Sequence, residues 1–162
     1  MNIQQIEAIV FDFDGVLTDN RVYIDQDGRE MVCCNRSDGL SFEALKKTGV
    51  KLFILSGEAI SVVKHRGDKL KIKVIQGCKN KKKTLFDLSR KEEFQLAKTL
   101  FVGNDLNDFR AMELCGFSAC PADSHPAILK FAQYPLVSKG GHGVVRELTE
   151  EVFKLDILFL IE

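Results

Sequence analysis

Short apolar runs alternate with segments of helical spacing along this chain. Residues 8–11, 52–55, 72–75 and 100–102 are almost entirely apolar. Continuous apolar runs of this length are typical of parallel strands that are covered on both faces. The alternation of strands with helices therefore predicts an α/β fold with a mostly parallel sheet and helices on both faces.

Two regions depart from this alternation. Residues 22–32 read as two short strands around Asp27-Gly28, a dipeptide typical of hairpin turns, so we expect a small β-hairpin flap there. Residues 144–161 predict a C-terminal helix. The chain has 162 residues and no linker or repeat, so we expect one domain over residues 1–162.

Composition excludes several classes of function. Lys plus Arg equals Asp plus Glu at 23 each, so no global field attracts nucleic acid or an anionic membrane. The five cysteines are scattered without a CxxC pair, which fits reduced thiols. We find no signal-peptide pattern and no apolar run of membrane-spanning length, and we expect a cytoplasmic protein.

An acidic pair follows the first apolar run. Asp12 and Asp14 lie two residues apart, where Gly15 allows the chain to turn tightly. An ionised Asp12 can attack phosphorus, and a protonated Asp14 can donate to the leaving oxygen and later activate water. The alternative interpretation is an ordinary acidic turn after a core strand.

A serine and a lysine cluster follow the next two runs. Ser56 is expected to cap a helix that starts near Glu58, where a hydroxyl and free N–H groups suit a phosphoryl oxygen. The four lysines at 79 and 81–83 oppose the dipole of the following helix, which favours a role in charge pairing with Asp12 and phosphate. A plain helix cap and a solvated basic face are the alternatives, and the pattern does not choose among the lysines.

A second acidic loop follows the run at 100–102. Asn104, Asp105 and Asp108 offer oxygen atoms that can complete a shell around Mg²⁺. A metal there neutralises the repulsion between an anionic nucleophile and an anionic substrate.

These motifs resemble the haloacid dehalogenase superfamily. The resemblance is carried by Asp-x-Asp-Gly-Val-Leu-Thr-Asp at 12–19, Leu-Ser-Gly at 55–57, Lys81, Gly-Asn-Asp-x-x-Asp at 103–108 and the glycine-rich residues 140–147. Within the superfamily, the chain is similar to the small capless sugar-acid phosphatases. The resemblance implies a Rossmann-like fold, a homotetramer, Mg²⁺ and a role in lipopolysaccharide or sialic acid biosynthesis.

The resemblance also assigns roles to residues. It makes Asp12 the nucleophile, Asp14 the acid/base, and Ser56 and Lys81 phosphate binders. It implies metal ligation by Asp12, Asp14 (through its backbone carbonyl), Asn104 and Asp105. One position departs from the subgroup, because Asn104 stands where a metal-binding Asp is usual and removes one negative charge. The same Gly-Asn-Asp resembles phosphatase-like modules of sialic acid cytidylyltransferases, so a catalytically silent oligomerisation module is the alternative function.

The expected substrate is a 2-keto-3-deoxy sugar acid phosphate, either a nonulosonate 9-phosphate, which is preferred, or 3-deoxy-manno-octulosonate 8-phosphate. Glu58, Arg66 and Lys69 are expected on one face of the helix after Ser56, and this pattern resembles members that act on nine-carbon acids. Gly57 and Asn35 complete the expected substrate contacts. A solvated helix face is the alternative interpretation.

A signalling receiver domain also combines aspartate, hydroxyl, lysine and Mg²⁺. In a receiver, the acidic pair precedes the phosphoacceptor strand. Here a second acidic loop follows the lysine instead, and this order favours a phosphatase.

Overall fold

The computed structural model describes residues 1–162. The strands are β1 (Ala8–Phe11), β2 (Tyr23–Ile24), β3 (Glu30–Met31), β4 (Lys51–Leu55), β5 (Lys73–Ile75), β6 (Thr99–Val102), β7 (Phe117–Cys120) and β8 (Tyr134–Pro135). The helices are α1 (Ser37–Lys47), α2 (Ser61–Leu70), α3 (Lys81–Lys91), α4 (Leu106–Met112), α5 (Pro126–Phe131), α6 (Val144–Glu147) and α7 (Ile157–Ile161).

Six strands form one parallel sheet in the order β5-β4-β1-β6-β7-β8. The central strand β1 pairs with β4 on one side and β6 on the other, in register from Ala8 to Phe11. The chain therefore proceeds outward from β1 in both directions, which opens a crevice at the carboxyl ends of the central strands. The predicted α/β fold is confirmed.

The two faces of the sheet bury separate apolar clusters. Ile9 and Phe11 of β1 point into one cluster, which contains Phe42 of α1, whereas Ala8 and Val10 point into the other. This alternation follows from the two-residue period of a strand. The rings of Phe11 and Phe42 meet edge to face with centroids 5.2 Å apart. The central strand is fully covered, as its continuous apolar run predicts.

The predicted hairpin is confirmed. Strands β2 and β3 pair antiparallel, with Tyr23 opposite Met31 and Ile24 opposite Glu30. Asp25 accepts hydrogen bonds from the amides of Asp27 and Arg29 at 2.9 Å and closes the turn. The hairpin forms a sheet separate from the main one.

The C-terminal region differs from the predicted continuous helix over 144–161. Helix α6 passes into a π-helical turn over Leu148–Val152, and the chain then breaks before α7. The break occurs because Lys154 adopts a left-handed conformation, at φ 57°, and the Asp156 side chain caps α7.

None of the helices in the structure has the length and hydropathy needed to traverse a lipid bilayer.

The buried carboxylate of Asp38 joins α1 to α6. Its Oδ1 accepts hydrogen bonds from the amides of Val145 and Arg146 at 3.1 and 3.2 Å. These amides belong to the first turn of α6, which has no side-chain cap of its own. Burial raises the pKa of Asp38 to about 6, although the two amide hydrogen bonds oppose the rise.

We predict that Asp38 gives folding stability a distinct pH dependence. Because its pKa is higher in the folded protein than its ordinary 3.8, its stabilising contribution is full below about pH 4 and is lost as the pH rises through about 6. Asparagine does not ionise, so Asp38→Asn should lack this loss. The unfolding free energy of the variant minus that of wild type should therefore rise by about 3 kcal/mol from pH 4 to pH 7. Denaturant unfolding measures this gain, with the exposed Asp68→Asn as control; equal pH profiles in wild type and both variants would contradict the prediction.

Candidate active site

A small polar pocket lies at the carboxyl edge of the sheet. Its volume is about 100 Å³, and none of its lining residues is hydrophobic. The lining residues are Asp12, Asp14, Asn20, Gly57, Glu58, Lys81, Asn104, Asp105 and Asn107. The segments after β1, β4 and β6 therefore meet in one place, together with the first residue of α3.

Lys81 is buried between two carboxylates. Its Nζ lies 2.7 Å from Oδ1 of Asp12 and 2.7 Å from Oδ1 of Asp108. Lys81 is 4% exposed, whereas Lys79, Lys82 and Lys83 are exposed. The structure thus brings to the pocket the lysine that the family resemblance had singled out, and it leaves the others in solvent.

Asp108 has a different place from the one that the sequence suggested. It was expected among the metal-shell candidates, but it is fully buried, and its Oδ1 accepts from Lys81. Its Oδ2 accepts from the amides of Asn104 and Asp105 at 2.9 and 3.3 Å, as the second half of a capping box with Asp105. A β-carbon on Gly103 would lie 2.7 Å from Cβ of Asp108, so glycine is needed at that position.

Opposing effects set the charge of the Asp12 and Lys81 pair. Burial raises the pKa of Asp12 well above its ordinary value, and the Asp108 carboxylate adds to the rise, while the Lys81 ammonium opposes it. Burial lowers the pKa of Lys81, but the carboxylates of Asp12 and Asp108 outweigh burial and raise it above its usual value. With its Nζ 2.7 Å from both carboxylates, Lys81 is a cation at neutral pH, and its positive charge favours the ionised form of Asp12.

Asp14 lies in a different environment. It is half-buried on the pocket wall, two residues after Asp12. Burial raises the pKa of Asp14, and the nearby Glu58 carboxylate raises it further. The turn after it depends on Gly15, which has a φ of +77° and whose β-carbon would lie 1.9 Å from Nδ2 of Asn104. A carboxyl with a raised pKa is suited to hold a proton and donate it.

The side chain of Asn104 leaves an oxygen without a partner. Its Oδ1 is buried and accepts no hydrogen bond, while its backbone carbonyl accepts from the amide of His125 at 2.8 Å. No group of three or more His, Cys, Asp or Glu side chains converges to hold an ion alone. Mg²⁺ prefers few protein carboxylates, with water and phosphate oxygens completing its shell. Asp12, Asp14 and the free Oδ1 of Asn104 therefore fit such an ion.

Ser56 does not cap a helix. Residues 57–60 are non-helical, and helix α2 begins only at Ser61. Ser56 is buried at 1% exposure directly before Gly57, which lines the pocket, and its Oγ accepts from the amide of Glu58 at 3.1 Å. Its hydroxyl proton is consequently free to donate.

The expected substrate contacts separate into two groups. Gly57 and Glu58 line the pocket, but Glu58 precedes α2, so it shares no helix face with Arg66 and Lys69. Arg66 and Lys69 line another cavity of about 300 Å³. Asn35 lies with Arg66, whose Nη2 donates to the Asn35 carbonyl at 2.8 Å. The prediction of one binding face on this helix is therefore wrong.

Two asparagines in the pocket wall were not predicted. Asn20 has a left-handed φ of 63° at the entry to the hairpin, and Asn107 lies in the first turn of α4. No sequence signal separates these residues from ordinary loop and helix residues. The partnership of Asp108 with Lys81 was also missed, although its spacing from Asp105 carries a capping-box signal.

The side chains around this pocket have the properties needed to move a phosphoryl group to and from a carboxylate. A charge-paired aspartate lies beside a proton donor at the end of a central parallel strand. This places the protein among the α/β enzymes of phosphate-ester chemistry.

Comparison with known proteins identifies the family. Residues 68–148 match the haloacid dehalogenase-like hydrolases. The chain is 32% identical over 148 residues to 3-deoxy-D-manno-octulosonate 8-phosphate phosphatase KdsC of Salmonella typhi, covering 91% of this chain and 79% of that protein. The chain therefore belongs to the haloacid dehalogenase-like hydrolases, in the subgroup of the octulosonate 8-phosphate phosphatases, and the resemblance found in the sequence is confirmed.

Solved structures agree with this assignment. A HAD-family protein from Streptomyces avermitilis superposes with a TM-score of 0.90 at 39% identity, covering 93% of this chain and 86% of that one. The octulosonate phosphatase of Moraxella catarrhalis, in complex with magnesium, phosphate and KDO, superposes with a TM-score of 0.88 at 30% identity and covers 93% and 87%.

We predict that Lys81→Met destabilises the fold by about 3–5 kcal/mol, because two buried carboxylates lose their counter-charge. Lys82→Met is the matched control, since Lys82 is the next residue of the same helical turn but is exposed; we expect it to change stability by less than about 0.5 kcal/mol. Urea unfolding measures both variants. Equal midpoints for the two would contradict the buried ion cluster.

Proposed function

We propose that this protein is a Mg²⁺-dependent phosphomonoesterase for a 2-keto-3-deoxy sugar acid phosphate. The observation that carries the proposal is the position of Asp12, which directly follows the central strand, pairs with buried Lys81 and lines the same pocket as Asp14. The named relatives in its subgroup are phosphatases of this kind. We propose one catalytic domain over the whole chain, in the cytoplasm, where its five free cysteines stay reduced.

The first step transfers the phosphoryl group to the protein. The Asp12 carboxylate attacks phosphorus, the ester P–O bond breaks, and Asp14 gives its proton to the leaving sugar oxygen. Lys81 and the hydroxyl of Ser56 stabilise the charge on the phosphoryl oxygens.

The second step frees the enzyme. Asp14, now ionised, takes a proton from a water molecule, and the resulting hydroxide attacks phosphorus. The bond from phosphorus to the Asp12 oxygen breaks, so inorganic phosphate leaves and the Asp12 carboxylate is regenerated. Asp12 acts as nucleophile because it is buried beside a cation, and Asp14 acts as acid/base because it is half-buried near another carboxylate.

We propose that Asp12, the backbone carbonyl of Asp14 and Asn104 would hold Mg²⁺, with Asp105 lining the same pocket. The ion, when bound, offsets the negative charge shared by substrate and nucleophile. The Asp105 carboxylate already accepts from the amide of Leu106 at 2.7 Å. We therefore assign the free Oδ1 of Asn104 the more direct role.

We propose 3-deoxy-D-manno-octulosonate 8-phosphate as the substrate. Two of the named relatives act on or bind octulosonates. The preference for a nine-carbon acid rests on the resemblance of Glu58 and Lys69 to members that act on such acids; Glu58 lines the pocket, whereas Lys69 lines another cavity. Assays of both sugar acids decide between them.

We also propose that copies of the chain assemble, as a homotetramer according to the resemblance. The hairpin exposes four large apolar side chains beside the site, namely Val22, Tyr23, Ile24 and Met31. Val22 and Glu30 line a cavity that also contacts Asp14 and Glu58, so a partner docked on the hairpin would cover the site. Sedimentation velocity of the purified chain tests this, and a monomer at micromolar concentration would contradict it.

The central test is phosphate release from octulosonate 8-phosphate with saturating Mg²⁺. We predict turnover that chelation by EDTA abolishes and that Asp12→Asn lowers by several orders of magnitude, because an amide cannot attack phosphorus. Asp68→Asn, exposed and remote from the pocket, should retain wild-type activity. No release from octulosonate, nonulosonate or generic phosphomonoesters would overturn the proposal.

The amide at position 104 is the observation that favours the alternative, a silent oligomerisation module. If Asn104 is a metal ligand, Asn104→Asp should tighten Mg²⁺ binding on the order of tenfold, because it restores a negative charge to the shell. Asn107→Asp adds the same charge elsewhere on the pocket wall and serves as control. Calorimetric Mg²⁺ titration measures both, and equal affinities would remove Asn104 from the metal shell.

A further inference from the structure

Two glycines in one loop touch the backbone of the loop that carries Asp14. We name residues 137–143 the glycine loop and residues 14–19 the acid loop. A β-carbon on Gly140 would lie 2.3 Å from the carbonyl oxygen of Gly15. A β-carbon on Gly141 would lie 2.4 Å from the backbone nitrogen of Asp19. Because both obstacles are backbone atoms, no side chain can rotate away to make room.

The contact is also hydrogen bonded. The amide of Gly141 donates to the carbonyl of Val16 at 3.0 Å. Inside the acid loop, Oγ1 of Thr18 accepts from the amide of Gly15 at 3.2 Å, and the amides of Leu17 and Thr18 donate to the carbonyl of Phe13. The acid loop is thus held by its own hydrogen bonds and by the contact with the glycine loop.

Three carboxylates from other parts of the chain hold the glycine loop and the turn after it. Glu147 accepts from two successive amides at 2.7 Å each, and Asp123 accepts from the amide of Gly140 at 2.9 Å. Asp38 accepts from the amides that follow the loop, at the start of α6. Hydrogen bonds from amides to ionised carboxylates are stronger than those between neutral groups, so the glycine loop has little freedom to move away from the acid loop.

We propose that the glycine loop is a positioning element for catalysis: it sets the location of the acid loop and, through it, of the Asp14 carboxyl. The inference rests on the proposed function, since it assigns the loop a role in the proton transfers of Asp14. An added methyl group at position 140 must move one backbone by about an ångström, and a misplacement of that size can cost a hundredfold in rate. The glycine loop itself contributes no side chain to the pocket.

The test compares Gly141 with a glycine of similar backbone conformation in open surroundings. Gly141 and Gly49 both have left-handed backbones, at φ +68° and +81°, but a β-carbon on Gly49 meets nothing within 4 Å. Gly49→Ala therefore reproduces the conformational strain of Gly141→Ala without the contact. We expect Gly140→Ala and Gly141→Ala to lower kcat about a hundredfold with KM changed only a few-fold, and Gly49→Ala to retain wild-type kcat.

Hydrogen exchange supplies a readout that does not depend on turnover. We expect the amides of Leu17 and Thr18 to exchange faster in Gly140→Ala and Gly141→Ala than in Gly49→Ala. Unchanged exchange and kcat in folded glycine variants would overturn the proposal, as would an equal loss in Gly49→Ala. If wild type released no phosphate, the proposed function would fail, while the exchange data would still decide whether the glycine loop fixes the acid loop.

A second variant covers the case in which the glycine variants do not fold. Asp123→Ala removes the bond to the Gly140 amide from an exposed residue and adds no clash. We expect about a tenfold lower kcat and faster exchange at Leu17 and Thr18, with Asp68→Ala as the exposed control. Wild-type kcat and exchange in folded Asp123→Ala would contradict the positioning role.

Discussion

The buried ammonium of Lys81 between Asp12 and Asp108 is the interaction on which the rest of the site depends. Three charged groups are removed from water there, and each is tolerated only because the others are present. The cluster joins the end of β1, the start of α3 and the first turn of α4. Asp108 also binds the amides of Asn104 and Asp105, so the same charge cluster shapes the second acidic loop.

This cluster explains how one small pocket can contain two acids with separate roles. Asp12 is buried and would lose its charge without a cation beside it, whereas Asp14 is half-buried, and the Glu58 carboxylate affects its pKa more than the Lys81 ammonium does. Lysine favours the ionised nucleophile at one position, and burial favours a bound proton at the other. A cation at a helix N-terminus and in the protein interior lowers folding stability unless it is paired. The pairing of Lys81 with Asp12 gives this position its chemical reason.

Much of the fold and part of the site follow from the sequence. Continuous apolar runs predict buried parallel strands, and the polar residues directly after them must meet at one edge of the sheet. The identity of the buried lysine is different, because four lysines have equal local signals and only tertiary packing buries Lys81. The predicted helix start near Glu58 is wrong, since α2 begins at Ser61. The prediction of one continuous C-terminal helix is also wrong, because the left-handed Lys154 and the capping Asp156 interrupt it. The contact of Gly140 with Gly15 joins residues distant in the chain, and no local pattern announces it.

The most direct test of the account is the location of the phosphoryl group during turnover. Acid quenching of the enzyme with octulosonate 8-phosphate and Mg²⁺, followed by reduction of the acyl phosphate and peptide mass spectrometry, identifies the modified residue. The account predicts modification of Asp12 alone, and none in Asp12→Asn. Turnover without any covalent intermediate, or modification of a different residue, would contradict it.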